Sequence, residues 1–92
     1  MVKIEEDWIW KDGHKIGYIQ GHKIFTEEGH RVGYVTDDGV HETSGRKIGW
    51  MEGDHIRTPD GDRIPISSNR VHVQGDGYSD IVRAGVRLLL GD

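Results

Sequence analysis

The sequence predicts an all-β fold in which four tandem β-hairpins of sixteen residues close into a pseudo-four-fold arrangement, followed by a C-terminal α-helix. Three observations lead to this fold. One short phrase recurs at a fixed spacing, a turn signal precedes every copy, and the hydrophobic period changes to that of a helix after residue 77. The 92 residues are enough for a single domain with a single core.

The repeated phrase begins at a glycine every sixteen residues. Its copies read GHKIGYI from Gly13, GHRVGYV from Gly29, GRKIGWM from Gly45 and GDRIPI from Gly61. An acidic or small polar residue stands before each glycine, and glycine adopts positive φ without a steric cost. Because short apolar runs flank every turn, residues 7–69 are predicted to form four successive hairpins.

The columns of the repeat predict which side chains are buried. One column before the turns is always apolar, and two columns after the turns are apolar or aromatic. Since residues two apart on a strand share a face, we expect both of the later columns to point inward. The first column is Trp8, Ile24, Val40 and Ile56, and the later columns are Ile16, Val32, Ile48 and Ile64 and then Tyr18, Tyr34, Trp50 and Ile66.

A glycine separates the two later columns at Gly17, Gly33 and Gly49, where glycine normally weakens a strand. A bulge, a sharp bend or the close approach of another backbone could each explain them, and we interpret these glycines as bends that let the apolar residues on both sides reach one core. Pro65 replaces the glycine in the fourth copy. Because proline has no N–H for the hydrogen-bond ladder, this strand is expected at an edge or interrupted.

Residues 1–6 are expected to form an N-terminal arm, and residues 70–77 a closing strand and turn. Val2 and Ile4 alternate with polar residues, and so do Val71 and Val73. The two segments could therefore pair and seal the ring. An open meander is the alternative, but it would leave an apolar face uncovered, so closure is favoured.

The passage GRKIGWMEGDHIRTPDG, from Gly45 to Gly61, combines the phrase with a short acidic-glycine link. Together with the other hairpins it resembles the four-fold β-flower domain of bacterial proteins. The resemblance covers roughly residues 7–66 and implies four hairpin petals around a pseudo-symmetry axis. It implies no established activity and no catalytic residues.

Residues 79–90 are predicted to form an amphipathic helix, because their apolar residues fall on one arc of a helical wheel. Ser79 suits the N-cap, Asp80 suits the positive end of the helix dipole, and Gly91 suits a C-terminal stop. A strand is the alternative, since apolar residues also alternate over residues 82–90. The helix either covers one mouth of the ring or docks on a partner through Ile81, Val82, Val86, Leu88 and Leu89.

Two features are candidate binding sites. The cations Lys15, Arg31, Lys47 and Arg63 occupy one column, and around a closed ring they could hold an anion. Alternation turns them outward, however, which favours solvated ion pairs with acidic residues of the hairpins. Trp10 interrupts a polar column, so it is either an exposed anchor for a sugar or a protein, or a residue packed beneath the arm or the helix.

Composition and spacing argue against several classes of site. The chain has no cysteine, and its six histidines lack the spacing of a zinc site, so no metal site is predicted. None of the serines has the context of an activated nucleophile, and we expect no enzyme activity, no catalytic residue and no cofactor. The net charge of −4 argues against binding to nucleic acid. Two arginines in the helix are too few for a membrane surface.

These observations predict a non-enzymatic structural or protein-interaction module, as a subunit or decorating component of a larger assembly. Its expected partner is another protein or a second copy of the chain. The alternative is a small ligand-binding module that takes carbohydrate or anions on exposed aromatic rings or on the cation column. The N-terminus carries no signal peptide, which favours a cytoplasmic or virion-associated location.

Overall fold

The computed structural model describes residues 2–37, 39–75 and 77–90. In these residues ten β-strands form a single sheet, and two α-helices lie near the C-terminal end of the chain. The strands are Val2–Glu5 (β1), Trp8–Lys11 (β2), His14–Gln20 (β3), Lys23–Thr26 (β4), Arg31–Thr36 (β5), Gly39–Glu42 (β6), Lys47–Glu52 (β7), His55–Arg57 (β8), Arg63–Pro65 (β9) and Val73–Gln74 (β10). The helices are Ile66–His72 (α1) and Asp80–Leu89 (α2). The mainly β class predicted from the repeat is confirmed.

The sheet is open, and this corrects the predicted closed ring. Strands β1 to β9 pair antiparallel in chain order, and β10 joins the other side of β1 in parallel. Val2 lies opposite Val73, so the arm and the closing segment do pair, but only over Val73–Gln74. Val71, predicted in the same strand, lies in α1 and is exposed instead. β9 and β10 nevertheless remain the two edges, because the chain between them forms α1 instead of another strand. Pro65 ends β9 at the edge, as its missing N–H predicts.

The first hairpin differs from the predicted repeat by one residue. Ile24, Val40 and Ile56 are buried as expected, but Trp8 is 38% exposed and its neighbour Ile9 takes the core position. Ile9 lies opposite Gly17 in the same way that Ile24 lies opposite Gly33.

The cause of this shift is the length of the first turn. Lys11 pairs with His14 across a two-residue turn in which Asp12 and Gly13 both have positive φ, at 52° and 84°. This is the pattern of a type I′ hairpin turn. The next turn is longer: the Thr26 N–H donates a hydrogen bond of 2.8 Å to the His30 carbonyl, and the Thr26 hydroxyl accepts one of 3.2 Å from the His30 N–H. The sixteen-residue spacing of the glycines does not reveal this difference in turn length, because Gly13 and Gly29 keep that spacing.

A β-bulge in each of the first three hairpins reverses the predicted facing of the aromatic column. The pairing skips one residue immediately before Gly17, Gly33 and Gly49. The skipped residues still pack against the core, but the alternation beyond them shifts by one. Tyr18, Tyr34 and Trp50 therefore lie on the face of the sheet opposite the core, and the prediction that they point inward is wrong.

The C-terminal helix α2 covers the inner face of the sheet. The Ser79 side chain accepts a hydrogen bond from the Val82 amide at 3.3 Å, which confirms the predicted N-cap. The helix packs against β4 to β7, and Val86 is completely buried. The predicted helix stop at Gly91 lies outside the described residues.

Three successive leucines, two at the end of α2 and one immediately after it, rest on the three bulge glycines. A Cβ atom at Gly17 would lie 2.8 Å from Leu90, one at Gly33 2.6 Å from Leu89, and one at Gly49 2.6 Å from Leu88. Consecutive residues of a helix point about 100° apart, so the leucines fan out towards three different hairpins. The repeat thus converges on the end of this helix.

Candidate functional site

The face of the sheet turned away from α2, here called the outer face, carries the aromatic side chains that the bulges turn outward. Tyr18 lies between Trp8 and Phe25, which are its partners on the two neighbouring strands. The rings of Tyr18 and Phe25 are stacked with centroids 4.8 Å apart, and Trp8 meets Tyr18 edge-on at 5.5 Å. Tyr34 and His41 repeat the same stack in the next hairpin at 4.8 Å.

Lysine side chains complete these aromatic groups. The Lys15 ammonium lies 3.8 Å from the ring centroid of Trp8 and 5.2 Å from that of Trp10. The Lys47 ammonium lies 5.8 Å from the ring centroid of Trp50. All three distances are within the range of a cation–π interaction. The structure therefore brings together two of the predicted site residues, Trp10 and Lys15.

The four cations of the predicted column all lie on the outer face, but they do not meet around an axis. Each stands opposite the outward residue of the preceding strand, in the pairs Trp10 and Lys15, Phe25 and Arg31, His41 and Lys47, and Arg57 and Arg63. Successive cations are two strands apart, and each strand step is about 4.8 Å. At about 10 Å from one to the next they cannot enclose one small anion. They alternate with the aromatic rings across the face instead.

The outer face is basic although the chain is acidic. Among the described strand residues that point outward, the charged ones are seven cations and two acids. Both acids have cationic partners, since Glu5 lies 2.9 Å from Lys3 and Glu52 lies 3.0 Å from Arg57. The chain as a whole has 12 basic and 16 acidic residues. The outward cations are Lys3, Lys15, Lys23, Arg31, Lys47, Arg57 and Arg63.

The helix residues predicted to dock on a partner lie against the sheet of their own chain. Val86 is in the core, and the other four, Ile81, Val82, Leu88 and Leu89, are partly buried against it. The same apolar stripe that suggests a docking helix is thus used within this chain to cover the inner face.

Polar contacts hold the C-terminal segment on the sheet. The Arg70 guanidinium donates two hydrogen bonds of 2.8 Å to the Asp80 carboxylate, and this pairing lowers the pKa of Asp80. The Tyr78 hydroxyl donates a hydrogen bond to Asp7. Burial, followed by the contact with Asp7, raises the pKa of Tyr78 above 10.0. None of these groups belongs to the outer face. The Arg70 contact ties the first turn of α2 to α1, and the Tyr78 contact ties the segment before α2 to the turn between β1 and β2.

A shallow depression opens on the outer face beside Trp10. It has a volume of about 390 Å³ and lies at the end of the sheet where β10, β1 and β2 are neighbours. It is lined by the Trp10 ring, by the polar residues Lys3, Glu5 and Gln74, and by Asp12 and Gly13 of the first hairpin turn.

Sequence reasoning missed the outward position of Trp8, Tyr18, Tyr34 and Trp50. For the last three, the signal that was available is the glycine column itself, because a bulge changes which later residues share a face. For Trp8 it is the Asp12–Gly13 pair, which is typical of a two-residue hairpin turn. Within the described ranges, no three His, Asp or Glu side chains are grouped closely enough to hold a metal ion. The helices described here are also too short to cross a membrane.

The fold defines a class of protein built from tandem hairpins that form one sheet around a C-terminal helix. The family model of the 4-fold beta flower protein matches residues 10–81. The chain belongs to this family, as the resemblance of its hairpins indicates. Neither the search of curated proteins nor that of solved structures found a match.

Proposed function

We propose that this protein is a non-enzymatic interaction module that binds an acidic surface of another protein with its outer face. The observation that carries the proposal is the charge of that face, where seven outward cations alternate with aromatic rings and only two acids are present among the described residues. Complementary charge steers association and suppresses unsuitable partners, and aromatic rings supply contact area.

The aromatic groups favour a protein surface over single-stranded nucleic acid. Tyr18 and Phe25 are stacked at the spacing of neighbouring strands, and so are Tyr34 and His41. In such pairs each ring covers a face of the other, so the rings offer little free surface for the stacking that bases need.

The position of α2 also supports the outer face as the docking surface. Its apolar stripe packs inside the chain, so assembly through that helix would require it to leave the core. The outer face, in contrast, needs no rearrangement before it meets a partner. A module of this kind would serve as a subunit or decorating component of a larger assembly.

Binding to poly-L-glutamate tests this proposal, with fluorescence anisotropy measured over a range of salt concentrations. We expect the affinity to fall as salt increases and Arg31→Glu to weaken binding by roughly tenfold, because it places a carboxylate on the basic face. Arg46→Glu is the matched control. It makes the same charge change in a turn, where Arg46 lies 4.0 Å from Glu42, and should change the affinity by less than about twofold.

Two results would refute the proposal. One is an equal loss of affinity in the two variants. That result would show that binding depends on the net charge of the protein and not on the outer face. The other is tighter binding of a single-stranded DNA oligonucleotide of the same length than of poly-L-glutamate. That outcome would assign the outer face to nucleic acid.

A further inference from the structure

We infer that the depression beside Trp10 is a binding site for an uncharged pyranose sugar. The site is at one end of the outer face, and the inference does not depend on the proposed protein partner. Its volume of about 390 Å³ lies in the lower part of the range for small-molecule sites, which is roughly 300–1,000 Å³.

Strand pairing explains why these side chains converge. Gln74, Lys3 and Trp10 lie opposite one another on three neighbouring strands and point to the same face. Glu5 is two residues beyond Lys3 on that face, and the Asp12–Gly13 turn closes the end of the depression. The result is one aromatic ring surrounded by polar side chains, all positioned by the backbone of the sheet and of a tight turn.

The other hairpins provide an internal comparison for this site. The positions that correspond to Trp10 in their pairing are Phe25, His41 and Arg57. Three of the four hairpins thus form without a tryptophan here, so the fold itself does not require one. The two-residue turn and the flanking strands β1 and β10 also belong only to the first hairpin among those described. The tryptophan, the two-residue turn and the flanking strands all depart from the repeat, and all of them occur at the depression.

The charges of the depression select against charged ligands. Lys3 and Glu5 form an ion pair of 2.9 Å at its rim, Lys15 lies near Trp10, and Asp12 is part of the lining. An anion would meet Glu5 and Asp12, and a cation would meet the two lysines. An uncharged polyol can use both kinds of group, because its hydroxyls accept from an ammonium and donate to a carboxylate.

The tryptophan ring accounts for the choice of a pyranose. The face of an aromatic ring is electronegative, and it attracts the weakly positive C–H groups on the apolar side of a sugar ring. Among the described residues no other aromatic ring stacks on Trp10. One such stack and a few exposed hydrogen bonds support an affinity on the order of 1 mM.

The test is a titration of the full chain with methyl glycosides of glucose, galactose, mannose and N-acetylglucosamine, followed by amide NMR. At least one glycoside should give saturable shifts centred on Lys3, Glu5, Trp10 and Gln74. Trp10→Ala should abolish those shifts. Trp50→Ala removes another outer-face tryptophan and should leave them unchanged.

If Trp10→Ala does not fold, the inference is still tested by the residues whose amide signals shift when a glycoside is added to the unaltered chain. The inference is overturned if no glycoside gives saturable shifts at these residues, or if folded Trp10→Ala still shows them. It is also overturned if phosphate or tetramethylammonium binds the depression more tightly than every glycoside. Arg31→Glu should retain sugar binding, which separates this test from that of the protein partner.

Discussion

At the scale of single residues, three glycines connect the repeat to the helix. Gly17, Gly33 and Gly49 follow the bulges, and each lies against one of the three successive leucines at the C-terminal end of α2 and just after it. At Gly17 and Gly33 an added Cβ would also clash with a backbone oxygen of the neighbouring strand. Sequence periodicity shows that glycine recurs at these positions. The contacts that disfavour a side chain there, with the leucines at all three positions and with a strand backbone oxygen at Gly17 and Gly33, depend on the tertiary structure.

Gly33→Ala should lower the free energy of unfolding by about 1–3 kcal/mol, measured by urea denaturation. The added Cβ would lie 2.3 Å from the backbone oxygen of His41, which cannot move without disturbing the strand pair. This cost outweighs the gain of roughly 0.4–1 kcal/mol from a stiffer unfolded chain. Ser67→Ala, at an exposed position in α1, is the control. An unchanged or increased stability of Gly33→Ala would contradict the close packing described here.

At the scale of elements, α2 and the sheet stabilise each other. The helix has a capping serine and an apolar stripe, both of which are evident in the sequence. The sheet offers a complementary inner face with buried Ile24, Val40 and Ile56. Since a single layer with one apolar face cannot bury that face alone, the helix is the second layer of the fold.

Val86→Ala should destabilise the protein by about 2 kcal/mol, because the removed methyl groups leave a cavity between α2 and the sheet. Val86 is 0% exposed. Val71→Ala makes the same chemical change in α1, where the side chain is 64% exposed, and should change stability by less than about 0.5 kcal/mol. Thermal or urea unfolding of both variants measures the difference. Equal effects at the two sites would show that Val86 is not in the core.

The ion pair of Asp80 should make stability depend on pH in the acid range. Arg70 lowers the pKa of Asp80 below its ordinary value of 3.8. The stabilisation is therefore complete above about pH 4 and disappears as the pH falls through the lowered pKa, where the folded protein takes up the proton.

Asp80→Asn should lose about 0.5–1 kcal/mol of stability at neutral pH, after allowance for solvent screening of the pair. Below the lowered pKa the variant and the original protein should converge. Urea unfolding at neutral pH and near pH 2 measures this, with Glu27→Gln as an exposed control. A difference that persists unchanged in acid would rule out the ion pair as its source.

At the scale of the whole molecule, the sheet depends on α2 because it has no second sheet to pack against. A chain that ends at residue 74 keeps every strand but loses the layer that covers Ile24, Val40 and Ile56. Such a chain should give the narrow amide NMR spectrum of an unfolded protein, or aggregate. Addition of a peptide of residues 77–92 should restore dispersed signals. A well-dispersed spectrum from the shortened chain alone would contradict this dependence.

Local sequence patterns were sufficient to predict the hairpins, their glycine turns, the edge position of Pro65 and the Ser79 cap. Each of these depends on the backbone preferences of a few adjacent residues. The outward position of Lys15, Arg31, Lys47 and Arg63 also followed from simple alternation.

The predictions that failed are those in which a one-residue change has a distant consequence. A turn shortened by one residue moved Trp8 out of the core, and a bulge moved Tyr18 to the outer face. The seven residues of α1 kept β9 from pairing with β10, so no ring formed. In a sheet, a shift of one residue exchanges the two faces, and periodicity alone does not reveal it.

The repeated hairpin, its turns and the terminal helix are evident from the amino-acid sequence, because they rest on local backbone conformation and on hydrophobic period. The open sheet, the covering of its inner face by α2 and the shared outer face of aromatic rings and cations are evident only from the folded chain. Those features depend on register and on contacts between residues far apart in the chain, where packing decides among arrangements with similar local preferences.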